Sequence, residues 1–116
     1  MAMGRYDPII ADASRRFGVP ENRIRAVMGV ESGGRADAVS PKGAAGLMQV
    51  MAPTYADLAK RHGFGPDRFD PTNNIMAGTA YLGETRTAQL REALTILREI
   101  TDPYQATDWR SKHNRG

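Results

Sequence analysis

Residues 20–34 of this 116-residue chain read PENRIRAVMGVESGG, and the pattern of this stretch sets the fold class. The apolar side chains of Ile24, Val27 and Met28 recur at the spacing of one helix face, and the glycine pair that closes the stretch ends the helix. Nowhere does the sequence alternate between apolar and polar residues over a length typical of a half-buried strand. The sequence therefore predicts an all-α domain.

The same periodicity along the chain predicts a small domain of about six helices. Their approximate bounds are residues 7–17, 20–31, 44–51, 54–62, 72–85 and 88–100. Asp7 is expected to cap the first helix, and Thr54 the fourth. Because Pro103 ends the regular pattern, we expect a domain over residues 1–103 and a polar, basic, poorly ordered tail over residues 104–116.

Composition limits the classes of partner and site. Sixteen lysines and arginines against thirteen acids give a net charge of +3, and three of these basic residues lie in residues 104–116. The remainder is nearly neutral, which argues against a broad face for nucleic acid. The chain has no cysteine, so disulfides and zinc–thiolate sites are excluded, and we expect neither a metal nor a cofactor. No apolar run is long enough for a membrane span or a signal-peptide core.

One carboxylate lies on the apolar face of the second helix. Glu31 follows Met28 by three residues and Val27 by four, so we expect its side chain to point toward the core. Burial there would raise the pKa of the carboxyl, which would then keep a proton for a leaving oxygen, as a glycosidase requires. The alternative is a half-exposed glutamate at the helix end, hydrogen-bonded to the glycine-rich backbone or paired with Arg35.

The sequence that follows Glu31 resembles a known family. The blocks that carry the resemblance are Glu31-Ser32-Gly33-Gly34, Ser40-Pro41-Lys42-Gly43-Ala44-Ala45-Gly46-Leu47-Met48-Gln49-Val50-Met51, Asp70-Pro71, Asn74-Ile75, Ala77-Gly78 and Tyr81-Leu82. Over residues 5–95 the chain is similar to the catalytic domain of soluble lytic transglycosylases, relatives of goose-type lysozymes. The resemblance implies a lysozyme-like fold with a cleft for peptidoglycan, in a protein that acts in the periplasm or elsewhere outside the cytoplasm.

The resemblance also implies a reaction with a single catalytic acid/base. Members of the family cleave the β-1,4 bond between N-acetylmuramic acid and N-acetylglucosamine without adding water, and the product ends in a 1,6-anhydro ring. By its position, Glu31 would protonate the glycosidic oxygen and then take the proton of the C6 hydroxyl that attacks C1. An intramolecular nucleophile removes the need for the second carboxylate of hydrolytic glycosidases.

Four further residues match substrate-binding positions of the family. Ser40 is similar to a serine that binds near the acid, Gln49 and Met51 to residues that line the cleft, and Tyr81 to a tyrosine near the glutamate. Three of the four also have a plainer interpretation. Ser40 precedes a proline and fits an ordinary loop, Met51 fits core packing, and Tyr81 fits a core aromatic whose hydroxyl reaches the surface.

The chain departs from the family after residue 90. Members continue into an Ala-Tyr-Asn-Ala-Gly block whose tyrosine and asparagine face the acid, whereas residues 90–100 here read LREALTILREI. Losing one such hydrogen-bonding group commonly costs a factor of about 10²–10³ in rate, so we expect reduced activity unless another aromatic replaces it. Tyr104, Trp109 or a neighbouring subunit would be the source.

Three other functions stay open. The missing block favours a peptidoglycan-binding module of the same fold that cuts weakly or not at all. A lysozyme-type hydrolase would need a second carboxylate, for which Asp37 is the nearest candidate. Residues 14–19 followed by Ile24, with Arg23 and Arg25 on the second helix, have the spacing of a DNA-binding helix-turn-helix, which leaves the later blocks unexplained. The sequence does not determine the oligomeric state.

Overall fold

The computed structural model describes residues 2–101, with side chains from Gly4 onward. A 3₁₀ helix, Ala2–Tyr6, precedes four α-helices: α1 (Asp7–Phe17), α2 (Glu21–Ser32), α3 (Ala52–His62) and α4 (Pro71–Thr101). Within residues 2–101 the only β-type pairing consists of isolated bridges, Val39 with Ala45 and Ala45 with Val50. The prediction of an all-α fold is confirmed.

The chain divides into two compact units, Met1–Gly83 and Glu84–Gly116. The described part of the second unit is the helical stretch from residue 84 to residue 101, which belongs to α4. Its large apolar side chains are exposed: Leu90, Leu94, Ile96, Leu97 and Ile100. The expected tail over residues 104–116 lies outside the described residues and stays a prediction.

The first three helices end on left-handed glycines, as the sequence predicts. Gly18, Gly33 and Gly63 have φ angles of 69°, 63° and 77°. Each donates its backbone N–H to the carbonyl four residues earlier, at 2.8 to 3.1 Å. A left-handed residue at this position satisfies a carbonyl that the helix leaves unpaired, and glycine adopts it without steric cost.

The predicted N-terminal caps are wrong. Asp7 lies inside α1, whose cap position is Tyr6, and α3 begins at Ala52, ahead of Thr54. No side chain caps either helix, and each has a proline in its first two positions. Proline is already set for helical φ and has no N–H that a cap must satisfy, which reduces the need for a capping side chain.

Two of the predicted helices differ from those observed. Residues 44–51 form a turn and not a helix, because Gly46 and Gln49 have φ angles of 80° and 53°, which a right-handed helix does not allow. Residues 72–85 and 88–100 belong to the single helix α4: Arg86 and Thr87 between them include neither glycine nor proline, and Thr87 continues the helix although threonine is a common N-cap residue. The described residues therefore contain four α-helices where the sequence suggests about six.

The core of the first unit brings these helices together with the turn. Each α-helix contributes large apolar side chains that are fully buried, namely Ile10, Ile24, Met28, Leu58 and Ile75. Leu47, at the centre of the turn, is also fully buried. Because Leu47 is anchored in this core, the turn is part of the packed structure although it has no regular secondary structure.

A buried tyrosine fixes the segment that leads into α4. The hydroxyl of Tyr55 on α3 donates a hydrogen bond to the carbonyl of Gly65 at 2.6 Å. Burial raises the pKa of Tyr55 above its usual value of 10.0, and the negative charges of Asp67 and Asp70 add to the increase. The neutral hydroxyl that makes this hydrogen bond is therefore the form that the fold stabilises.

Candidate active site

A cleft of about 250 Å³ opens in the first unit between α2, the turn, the start of α3 and the first half of α4. Its walls are mostly apolar, with a carboxylate, an amide and two hydroxyl side chains among them. Ten residues line it: Val27, Glu31, Met48, Gln49, Val50, Met51, Thr54, Gly78, Tyr81 and Leu82. The lining comes from three helices and the turn, so only the tertiary structure assembles it.

The cleft includes four of the five candidate site residues. Glu31, Gln49, Met51 and Tyr81 line it together, although they are separated by up to fifty residues in the chain. Met51 is 41% exposed and Tyr81 is 51% exposed, so the alternative of core packing is wrong for both. These two side chains present apolar and aromatic surface to anything that enters the cleft.

Ser40 is not among the residues that line the cleft. Its side-chain oxygen accepts a hydrogen bond from the Ala44 N–H at 3.0 Å, and its backbone N–H donates to the Ala44 carbonyl at 2.9 Å. Both contacts close the loop that precedes the turn. The structure thus places Ser40 as a serine that closes its own loop, which agrees with the plainer interpretation.

Glu31 lies in the last turn of α2 and is exposed, so the expectation of a buried carboxylate is wrong. Of the apolar residues that share its helix face, Ile24 and Met28 are fully buried, whereas Val27 is only partly buried and lines the cleft beside Glu31. Within the described residues, Glu31 makes no hydrogen bond and no ion pair. In particular, Arg35 donates instead to the Ser32 carbonyl.

The residue after Glu31 fixes the end of α2. Ser32 is buried, and its hydroxyl donates to the Met28 carbonyl at 3.0 Å while accepting a hydrogen bond from the Gly34 N–H at 3.1 Å. The hydroxyl therefore links the last turn of the helix to the two glycines beyond it. This contact sets the direction in which the backbone at Glu31 presents its side chain to the cleft.

The turn over residues 45–50 is closed by its own backbone. Ala45 and Val50 exchange two hydrogen bonds of 3.0 and 3.1 Å, and the Gly46 N–H donates to the Ala38 carbonyl at 2.8 Å. Arg68 donates from its guanidinium to the carbonyls of Val50 and Gly43, each at 2.9 Å. The turn is thus held from outside as well as from within.

Gly78 allows α4 to approach this turn. A Cβ added at residue 78 would lie 2.5 Å from the Met48 sulfur and 2.6 Å from the Met48 Cβ. Only a residue without a side chain therefore allows this separation. Met48 is buried and also receives a weak contact from the Thr79 hydroxyl at 3.8 Å.

Sequence reasoning missed several residues of the cleft. The sequence indicates Thr54 only as a helix cap, Val27 only as an apolar position and Leu82 only as part of the Tyr81-Leu82 block, yet all three line the cleft. No local pattern distinguishes a cleft residue from a core residue on the same helix face, so no signal was available for them. Asp37, the candidate second carboxylate, is exposed and does not line the cleft.

The described residues contain no group of three or more histidine, cysteine, aspartate or glutamate side chains that could hold a metal ion. Over the same part of the chain, no helix has the length and apolar character needed to cross a membrane.

The sequence model of the transglycosylase SLT domain family matches residues 8–108. The chain belongs to this family. The resemblance that the sequence blocks predict is therefore confirmed. Residues 90–100, where the family's Ala-Tyr-Asn-Ala-Gly block is expected, belong to α4, whereas Tyr104 and Trp109 lie outside the described residues.

Known relatives of this SLT domain are longer proteins. Membrane-bound lytic murein transglycosylase C of Photorhabdus laumondii is 46% identical over 84 residues, which are 67% of this chain and 24% of the relative. The protein of the same name from Yersinia enterocolitica is 44% identical with the same coverage. The SLT domain described here thus spans about a quarter of the length of these relatives.

A solved structure shares the fold. An inactive glutamate-to-glutamine variant of the lytic transglycosylase Slt from Pseudomonas aeruginosa superposes with a TM-score of 0.67 at 23% identity, over 87% of this chain and 17% of that chain. At this identity the likeness shows the fold of the SLT domain and not its chemistry.

Proposed function

We propose that this SLT domain is a peptidoglycan lytic transglycosylase that cleaves the β-1,4 bond between N-acetylmuramic acid and N-acetylglucosamine. The observation that carries the proposal is the cleft, where Glu31 lies with Gln49, Met51 and Tyr81. The relatives of this chain named lytic murein transglycosylase support the same reaction. Because that polymer forms the cell wall, the proposed site of action is the periplasm or another compartment outside the cytoplasm.

Glu31 is the proposed acid/base. In its acid form, it gives a proton to the glycosidic oxygen as the bond from C1 to that oxygen breaks. As a carboxylate, it then takes the proton of the C6 hydroxyl while that oxygen bonds to C1, which closes the 1,6-anhydro ring and returns Glu31 to its acid form.

The exposure of Glu31 favours a step in which substrate completes the site. An exposed carboxylate in the free chain is surrounded by water, whereas a glycan in the cleft would replace that water with apolar ring faces and the side chains of Met51 and Tyr81. Removing water in this way strengthens the hydrogen bonds of Glu31 to the substrate. Gln49 and Tyr81 are the proposed polar substrate contacts, and Ser40 supports them through its loop.

A peptidoglycan-binding module that cuts weakly or not at all is the second candidate. The observation that favours it is the same exposed Glu31, since within the described residues no side chain holds its proton or orients it. A hydrolase is a weaker candidate, because Asp37 does not line the cleft. The DNA-binding interpretation gains no support from Arg25, whose guanidinium pairs with Asp7 and Glu21 at 3.1 and 3.3 Å.

The experiment compares the full chain with two variants on purified cell-wall sacculi. Glu31→Gln removes the proton donor with almost no change in shape. Glu92→Gln is the matched control, since Glu92 is an exposed residue of the second unit outside the cleft. The soluble fragments are identified by mass, and binding is followed by pelleting with the sacculi.

Each outcome selects one candidate. Anhydro-ended fragments from the wild type and from Glu92→Gln, but not from Glu31→Gln, are the expected result. Fragments heavier by one water would identify a hydrolase. Pelleting without release of fragments would identify a binding module, and equal release by Glu31→Gln would refute the role of Glu31.

A further inference from the structure

A fully buried amide side chain on α4 holds the turn over residues 45–50 in place. Asn74 on α4 is 0% exposed, and its side chain makes three hydrogen bonds. Its oxygen accepts from the Met48 N–H at 2.7 Å, and its nitrogen donates to the carbonyls of Ala45 and Arg68, each at 2.8 Å. Both hydrogens of the amide are thus used, and its orientation is fixed by the carbonyls that its nitrogen faces.

Gln49, which follows Met48 in the chain, has an unusual backbone conformation. Gln49 is the one residue other than glycine whose φ is left-handed in the described part of the chain, at 53°. Such a conformation is uncommon for a residue with a Cβ and persists only where the surroundings impose it. Here the neighbouring Met48 N–H is held by Asn74, and the two ends of the turn are paired through Ala45 and Val50.

The side chain of Gln49 has only one polar atom without a partner among the described residues. Its nitrogen donates to the carbonyls of Ala38 and Gly46 at 3.0 and 2.9 Å, so both of its hydrogens are used within the protein. Its oxygen has no partner among the described residues, and no buried side-chain polar atom there lacks a partner, so this oxygen is accessible. The side chain of Gln49, a residue that lines the cleft, can therefore accept a further hydrogen bond but not donate one.

We propose that Asn74 is a positioning residue, which fixes the turn so that Gln49 directs its side-chain oxygen at the substrate. The inference rests on the proposed function for the identity of that substrate. An acceptor at this place selects a donor on the glycan, the N–H of an acetamido group or a sugar hydroxyl. Gly46 belongs to the same arrangement, because a Cβ there would overlap the Asn74 amide.

The test uses the full chain and a double-mutant cycle. Asn74→Ser removes the three contacts, Gln49→Ala removes the acceptor, and the third protein combines the two substitutions. Asn73→Ser is the matched control, since the Asn73 amide lies one residue earlier on α4 and donates to the Asp67 carbonyl instead of the turn. The rate of release of anhydro fragments from sacculi, as kcat/KM, is measured at a temperature where every variant is folded.

The expected result is coupling between Asn74 and Gln49. A displaced contact of this kind costs about 10- to 100-fold in rate, so each single substitution should lower kcat/KM by that factor. The double variant should be no slower than Gln49→Ala within about twofold, because Asn74 acts through Gln49. Losses that multiply, or an equal loss in Asn73→Ser, would show that Asn74 only supports the fold.

Nuclear magnetic resonance gives a second measurement that does not depend on activity. In the wild type, the Met48 amide and the side-chain NH₂ of Gln49 should both exchange slowly with solvent, and in Asn74→Ser both should exchange faster. Slow exchange of Gln49 that persists without Asn74 would overturn the proposal. If Asn74→Ser does not fold, fast exchange of either group in the wild type would overturn it.

The two measurements separate the two proposals. A wild type that releases no anhydro fragments refutes the proposed function. The exchange rates then still decide whether Asn74 holds Gln49 in place. An active wild type with uncoupled substitutions refutes the positioning role and leaves the proposed function unchanged.

Discussion

Replacing Gly78 by alanine tests the contact that forms one wall of the cleft. The added Cβ would lie 2.6 Å from the Met48 Cβ and 2.9 Å from its terminal methyl carbon. The first of these atoms is attached directly to the backbone, so rotating the side chain does not relieve the overlap. Either α4 or the turn must move, and the cleft lies between them.

Two effects of opposite sign set the magnitude. Alanine is more favourable than glycine inside a helix by about 0.5–1 kcal/mol. Forcing an extra carbon into a packed site costs about 1–3 kcal/mol. The second effect is larger, so we expect a net loss of about 1 kcal/mol in the free energy of unfolding. For a domain of this size, that loss lowers the melting temperature by about 4–8 °C.

The assay is thermal unfolding followed by circular dichroism at 222 nm, with release of anhydro fragments measured in parallel. Gly29→Ala is the control, because Gly29 is an exposed residue in the interior of α2. That variant gains only the helical preference and should be more stable than the wild type by about 0.5–1 kcal/mol.

A Gly78→Ala variant that is not less stable than Gly29→Ala would refute this reasoning. If Gly78→Ala were as stable as Gly29→Ala, Met48 would not pack against residue 78 as described. If Gly78→Ala were destabilised yet fully active, the separation between the turn and α4 would not matter for catalysis.

Substitutions at three further residues test contacts within the first unit, with chemical denaturation as the measurement. Ser32→Ala should lose about 1–2 kcal/mol, because it breaks one buried and one partly buried hydrogen bond, and Ser32→Thr should lose less if only the hydroxyl matters. Gly46→Ala should lose about 2 kcal/mol or more, since the residue is left-handed and lies against Asn74; a smaller loss would contradict that geometry. Tyr55→Phe should lose about 1 kcal/mol at neutral pH. Because the pKa of Tyr55 is raised in the fold, the contribution of its hydroxyl to the free energy of unfolding is complete below pH 10 and is lost as pH rises through the raised pKa. Above pH 10, the stability of Tyr55→Phe should therefore fall less steeply than that of the wild type.

Much of the fold could be predicted because it depends on local patterns. Apolar spacing predicted α1, α2 and α3 to within about two residues, and glycine placed their C-terminal ends. The failures have a common origin. Residues 44–51 are as apolar as a short buried helix, and nothing local shows that the main chain at Gly46 and Gln49 is left-handed. Long-range hydrogen bonds impose that conformation.

The cleft shows the same limit. The sequence blocks identified Glu31, Gln49, Met51 and Tyr81, which the structure brings together, but they could not predict that Glu31 is exposed. A residue three or four positions from buried neighbours shares their helix face, yet whether that face is covered depends on which element packs there. Within the described residues, the end of α2 borders open space.

The helical class and the helix ends at glycines follow from local patterns of residues, and the family follows from blocks that can be compared without a structure. Three features depend on packing instead: the apolar run between α2 and α3 is a turn, Asn74 holds it, and Ser40 does not line the cleft. These features involve residues that are far apart in the chain. Met48 and Asn74 are joined across 26 residues, and such a hydrogen bond forms only when burial brings both partners together.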